Sequence, residues 1–288
     1  MSLFYDSDFH LEHLIRTWII LMLAVAMICF IISELTRNYS QVDKLWSIMP
    51  IIYSLITAIE YPAPRLWIMC CLVIIWGSRL TFNLYRKGGY NKIPWKGEED
   101  YRWKIIRSNR ILKGRIRFGL FNLFFISIYQ NVIIMLFSTP LLIAAKYRNS
   151  SLSLIDIIAG SLMMLFIVIE AISDNQQYSF QKLKRQNDQS GKLYTCSLNQ
   201  GFLSEGLWQL IRHPNYVSEQ AIWISFYLFS VAASGNWINP TLAGSILLVL
   251  LFMGSTQLTE SISSSKYPGY AAYKKVVPKY FPGLFSRK

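Results

Sequence analysis

Apolar positions along the chain fall in long uninterrupted runs, not in alternating or heptad patterns. Seven runs approach the length of a membrane-crossing helix: 14–34, 45–60, 66–85, 119–143, 153–173, 217–234 and 239–258. A helix needs about 20 mostly apolar residues to cross the hydrocarbon core. The pattern therefore predicts an all-α polytopic membrane bundle of about seven transmembrane helices. The second run is short and carries Pro50 near its start. The fourth is long, and Pro140 is expected to end or kink it. Gly88-Gly89 is expected to close the third helix as a turn. No repeat or low-complexity stretch interrupts the series, so the chain reads as one integral membrane domain.

Composition agrees with lipid as the solvent. Hydrophobic residues make up 53% of the 288 positions and charged residues only 16%, against about a quarter charged in soluble domains. The stretch before residue 14 is acidic and polar. This does not fit a cleaved signal peptide, and the first run is expected to be a retained helix.

Charge then orients the bundle. With seven spans, 24 of the 29 Lys and Arg residues fall on one side, in the segments 35–44, 86–118, 174–216 and the tail from 259. Arg16, Arg65, Lys146 and Arg148 fall on the other, and Arg79 lies inside the third run. By the positive-inside rule the N-terminus is expected outside or in the lumen, and the C-terminus in the cytosol. A net charge of +13 alone would also fit a nucleic-acid binder. Set between apolar runs, it points to anionic lipid headgroups or a phosphate-bearing ligand, and no nucleic-acid partner is expected.

Ionisable groups at membrane depth need partners or a cavity. Glu170, Asp174, Gln177 and Gln181 recur at helical spacing and share one face, with Lys182 and Arg185 beside it. Asn215, Glu219 and Trp223 form a second face, which starts at Arg212-His213-Pro214-Asn215-Tyr216. Proline suits the first helical position. A helix start flanked by Arg212 and His213 suits an anion such as a phosphate. The internal alternative is that Arg212 and His213 are interfacial anchors and Glu219 pairs with Arg79. Four cysteines and three histidines show no metal or disulfide spacing. The dinucleotide, P-loop, serine-hydrolase and zincin motifs are absent, and Ser190-Gly191-Lys192 is only a fragment of a phosphate loop.

Several segments together resemble steroid 5-alpha-reductase-like membrane proteins, in the branch known mainly as a domain of unknown function. They are Asp43-Lys44-Leu45-Trp46-Ser47, Trp76-Gly77-Ser78-Arg79-Leu80-Thr81, Glu99-Asp100-Tyr101-Arg102-Trp103 and Ser173-Asp174-Asn175-Gln176-Gln177 with Phe180. Gly206-Leu207-Trp208, Arg212-His213-Pro214-Asn215-Tyr216 with Glu219 and Trp223, and Tyr267-Pro268-Gly269-Tyr270 complete the series, in order, over about 43–282. The resemblance implies reduction of a conjugated C=C bond in a steroid-like or other lipid substrate, with NADPH as cofactor. It implies that Asp174, Gln181, Asn215, Glu219, Trp223 and Tyr267 line the cofactor site, with Lys182 beside Gln181 and with Arg212, His213 and Tyr216 as its sterol-reductase-like elements. Gln181 stands where the steroid reductases have an arginine. The Tyr–Glu pair that polarises the substrate in those enzymes has no clear match. Tyr53 and Asp43 are its positional counterparts, a phenol and a carboxylate for proton delivery.

The same Arg-His-Pro-x-Tyr ending resembles isoprenylcysteine and phospholipid methyltransferases, for which the cofactor is S-adenosylmethionine. A non-enzymatic seven-helix receptor or transporter is the reading from another class. Its expected external disulfide, repeats and broken helices are not legible. The endoplasmic reticulum is the expected membrane for a lipid enzyme. Substrate identity and oligomeric state are not legible.

Overall fold

The computed structural model describes residues 2–93, 95–186 and 194–282, with side chains from Leu11 onward. Helices account for all the regular structure among the described residues. Six are long and apolar enough to cross a membrane: Leu11–Thr36, Gln41–Glu60, Pro64–Arg86, Arg115–Lys146, Leu154–Gln186 and Leu242–Lys266. The helix expected as a further span runs over Pro214–Ser234 and has 21 residues, but it is not among the six. Ser218, Glu219, Gln220, Ser225 and Ser230 dilute its apolar character.

The chain divides into two units. The first comprises Met1–Ser161 and Trp223–Leu248, the second Leu162–Ile222 and Val249–Lys288.

In the first unit, α1 (Ser2–Thr36) buries Leu14, Trp18, Met22, Ala26, Cys29 and Ser33. These recur every three or four residues, one stripe of a helix. Its other faces expose Ile20, Leu23, Ile28 and Ile31, which suits a lipid surround. After α2 (Gln41–Leu45) comes α3 (Ile48–Glu60), with Pro50 in the first turn, where no intrahelical N–H bond is lost. Helix α4 (Pro64–Arg86) starts on a proline at its first position. It ends as the sequence predicts: Gly88 takes φ +84°, Gly88 N bonds Tyr85 O and Gly89 N bonds Leu84 O. These two crossed bonds make a Schellman cap. Gly77 lets α4 approach α3, because a Cβ there would lie 2.7 Å from Ser47 O.

The short α5 (Tyr101–Ser108) is capped by Asp100, which accepts from Arg102 N at 2.9 Å. The fourth span is composite: α6 (Arg115–Phe121), a π-helix (Asn122–Tyr129), α7 (Gln130–Ser138) and α8 (Pro140–Lys146). Pro140 does break it, between α7 and α8. Aromatic rings fill the centre of this unit, with Phe137 4.1 Å and Trp76 4.8 Å from Trp223 between ring centroids. At one rim Arg65 forms a buried bidentate pair with Asp156, at 2.7 and 3.0 Å, and also bonds Ser150 and Ser151.

The 33-residue α9 (Leu154–Gln186) carries the acidic and amide-bearing face into the second unit. That unit adds α10 (Thr195–Gln200), a 3-10 turn (Gly206–Gln209), the first turns of α11 (Pro214–Ser234), the latter part of α12 (Leu242–Lys266) and α13 (Tyr270–Val276). Phe180, Tyr194 and Leu203 form a small core with Leu183, Leu198 and Trp208. Phe202 packs against Tyr267, Tyr270 and Tyr273.

Candidate functional site

Most of the residues singled out by sequence lie in the second unit: Asp174, Gln181, Lys182, Arg212, His213, Asn215, Tyr216, Glu219 and Tyr267. Trp223, Asp43 and Tyr53 belong to the first.

The α9 face is anchored to the turn that precedes α11. Gln176 Oε1 accepts from Leu207 N at 3.0 Å, and Trp208 Nε1 donates to Ser173 O. Gly206 takes φ +66°, and a Cβ there would lie 2.5 Å from the Gln176 amide. Only glycine fits this approach without strain. Asp174 and Glu219 are both buried, as is Glu170. Beside these carboxylates, Gln177 Oε1 on α9 and Asn215 Oδ1 in the first turn of α11 are buried and have no hydrogen-bond partner among the described residues. Gln181 is half-buried, and Lys182 and Arg185 are exposed where α9 ends.

Arg212 and His213 do not stand open for a phosphate, as their place before Pro214 led us to expect. Arg212 Nε bonds Glu260 Oε1 at 2.7 Å, Nη1 bonds the carbonyls of Lys274 and Val277, and its backbone N–H bonds Pro278 O. His213 Nε2 lies 3.1 Å from the same Glu260 oxygen, and its ring stacks on Tyr216 at 5.4 Å. Arg212, with His213 beside it, therefore clamps the start of α11 to α12, to α13 and to the residues just after it. Sequence reading missed Glu260. The legible signal was its place as the lone acidic residue of the last apolar helix.

Burial, partly offset by Glu260 and reinforced by the Arg212 and Lys279 charges, lowers the His213 pKa to about 4. The imidazole is thus neutral at physiological pH and donates Nε2–H to Glu260, which only accepts. An unfolded histidine titrates near 6.5, so between about pH 6.5 and 4 the unfolded chain binds the extra proton. Stability is full above 6.5 and falls as pH drops through this window, by up to about 3 kcal/mol from this group. Thermal melts of the purified protein from pH 7.5 to 4 should show that loss, and His213→Gln should flatten it.

Tyr267 is held by Lys184, whose ammonium bonds its phenol oxygen at 3.0 Å and also bonds Gly201 O. Burial works to raise the Tyr267 pKa, but the Lys184 bond and charge, with Lys266 nearby, outweigh it and hold the phenol below its usual range.

The structure does not assemble the remaining sequence candidates as expected. Trp223 is fully buried against Trp76, Phe137 and Phe226, so its ring serves the aromatic core of the first unit. Asp43 and Tyr53 do not form a carboxylate–phenol pair. Ten residues of nearly continuous helix separate them, a rise of about 15 Å. Asp43 accepts from Trp103 Nε1 at 3.1 Å, and Tyr53 packs on Trp18 at 4.4 Å. Ser190-Gly191-Lys192 lies outside the described residues. No cluster of potential metal ligands occurs among the described residues.

Long apolar helices, buried carboxylates and a cation-clamped helix start define the class: a polytopic α-helical membrane protein with a polar site in its second unit. The chain belongs to the family described as "Protein of unknown function (DUF1295)", whose model matches residues 29–277. It is 39% identical over 265 residues to the uncharacterized protein C594.04c of Schizosaccharomyces pombe, covering 88% of this chain and 75% of that one. No solved structure matches.

Proposed function

We propose that this chain is a membrane reductase that uses NADPH to saturate a conjugated C=C bond of a steroid-like or other lipid substrate. The observation that carries this reading is the pair of buried amide oxygens without donors, Gln177 Oε1 and Asn215 Oδ1. They sit on the two helix faces that the family-like motifs assign to a cofactor. An unbonded buried acceptor costs about 1–3 kcal/mol, and a ligand bearing N–H or O–H donors would relieve that cost. The carboxamide and ribose hydroxyls of a nicotinamide dinucleotide are such donors. NADPH, when bound, would supply the hydride.

Asn215 and Gln177 would hold those donors, and Asp174, Gln181 and Glu219 would accept from ribose hydroxyls. Lys182 and Arg185, exposed at the end of α9, would meet the phosphates. Arg212, His213 and Glu260 would position the α11 start and leave the phosphates to those cations. Lys184 would fix the Tyr267 phenol at the rim. Asp43 and Tyr53, both in the first unit, are given no part in this site. The basic loops and C-terminus would face the cytosol, in the endoplasmic reticulum.

One observation favours a second reading. Glu170, Asp174 and Glu219 make the buried face acid-rich, which suits the sulfonium and ammonium charges of S-adenosylmethionine in a methyltransferase.

Cofactor titration of purified protein separates the two. Asn215→Ala and Gln177→Ala should each weaken NADPH binding about 2- to 12-fold, and Glu219→Gln about 10- to 150-fold. The apo melting temperature of the two amide variants should hold or rise, since each removes an unbonded buried acceptor. Wild-type-like NADPH affinity in all three would remove this face from the site. A tighter response to S-adenosylmethionine than to NADPH would decide for the methyltransferase.

A further inference from the structure

The fourth span of the first unit contains an eight-residue π-helix, Asn122–Tyr129. Such helices are rare and short, and they recur at functional sites. Its sequence, NLFFISIY, has no proline or glycine to impose the distortion. On one side Phe121, Phe125 and Tyr129 stack in steps of 5.0 and 5.2 Å. Elsewhere Asn122 and Ser127, five residues apart and fully buried, face each other across one π turn, with oxygens 3.4 Å apart. Asn122 Nδ2 donates to Glu34 Oε1 at 2.9 Å, and Asn131 Nδ2 donates to Ser127 O at 2.8 Å. A polar seam thus runs along the contact of α1 with the π-helix.

Ser33 stands next to Glu34 on the buried stripe of α1. Its hydroxyl is buried, at 1% exposure for the residue, and has no hydrogen-bond partner among the described residues. Serine and threonine in these helices ordinarily satisfy themselves on the carbonyl four residues back. Thr17 does so on His13, Thr36 on Ile32, Thr57 on Tyr53 and Ser138 on Ile134. Ser33 does not. An unbonded buried hydroxyl costs about 1–3 kcal/mol, and the rotation that would relieve it is not taken.

We propose that Ser33, one residue before the Glu34 that bonds Asn122 of the π-helix, forms a subsite for the polar end of a lipid: a hydroxyl or carbonyl carried on an otherwise apolar body. The Ser33 hydroxyl donates to a carbonyl, and both donates to and accepts from a hydroxyl. One turn to either side on the same face of α1, Phe30 is half-buried and Thr36 exposed, so an apolar body enters beside them. A lone water is a poorer occupant, because it needs two to four polar partners. The assignment rests on the first unit alone and holds whichever cofactor the second unit takes.

The test uses the full chain in nanodiscs with two photoreactive, clickable probes, a sterol and a long-chain alcohol, each with a free hydroxyl and as its O-methyl ether. At least one free-hydroxyl probe should label peptides within 22–36 and 118–131, several-fold above its ether. Ser33→Ala should cut that labelling about fivefold, the equivalent of losing one hydrogen bond. Its melting temperature without probe should hold or rise, because it removes an unbonded hydroxyl. A lower melting temperature would instead reveal an internal structural role and overturn the proposal. So would labelling by neither probe, equal labelling by hydroxyl and ether, labelling elsewhere, or unchanged labelling in Ser33→Ala. Cofactor titration reads the second unit separately, so failure of one assignment is distinguishable from failure of the other.

Discussion

Arg212→Met should lower the stability of the cofactor-free protein by about 3–5 kcal/mol, the usual consequence of stranding one half of a buried ion pair. The guanidinium holds Glu260 and the carbonyls of Lys274 and Val277 at the end of α13. The carboxylate left behind would keep only His213, neutral at physiological pH, and Lys274 at 3.6 Å. Removing both charges, as Arg212→Met with Glu260→Leu, should recover much of the loss, because paired apolar replacements avoid the stranded charge. Thermal melts of the two variants check this. A phosphate-binding role predicts another result: an unchanged apo melt and a large loss of NADPH affinity. An unchanged apo melt in Arg212→Met would therefore return this arginine to the ligand.

Gly244→Ala should destabilise, although alanine is the better helix former by about 1 kcal/mol. A Cβ at Gly244 would lie 2.2 Å from Leu136 O and 2.6 Å from Phe137 N. Both are backbone atoms, so no side chain can swing aside. The α12 start and α7 would have to part by about 1 Å to restore van der Waals contact. That separation loosens the contact of Phe137 with Trp223, and overpacking of this kind costs about 1–3 kcal/mol. Small residues at membrane helix contacts permit such approach. Gly254, on the same helix, has open space where its Cβ would go, so Gly254→Ala is the control and should be neutral or stabilising. Equal melting temperatures for the two variants would show that the approach at Gly244 is not a constraint.

What the sequence made legible follows from local physics. Long apolar runs marked the helices, since lipid leaves a spanning backbone few alternatives. Gly88-Gly89, Pro140 and Pro214 marked ends and starts, because their backbone preferences act within one turn. The spacing of Asp174, Gln177 and Gln181 marked a helix face for the same reason. The failures are non-local. Arg212 reads as a phosphate ligand until Glu260, 48 residues away, is brought to it. Trp223 shares a helical face with Asn215 and Glu219, yet Trp76 and Phe137 claim its ring. The π-helix left no trace, because Asn122–Tyr129 is largely apolar and a slightly wider turn keeps the same residues buried. Nor did anything local reveal that Ser33 declines the bond its neighbours make.

The Arg212 clamp also fixes an order of events in the making of the protein. Its partners Glu260, Lys274 and Val277 lie 48, 62 and 65 residues downstream. At about 5–20 residues per second of synthesis, the guanidinium emerges several seconds before the groups that will neutralise it. Through that interval the beginning of α11 keeps its tie to α9 but lacks the one to α12 and α13. The polar face of the second unit is therefore completed late, after the apolar helices before it have been made. A nascent chain halted before Glu260 would hold every residue of the first unit and none of the downstream groups that pair Arg212, dependent on the translocation machinery to shelter an unpaired arginine.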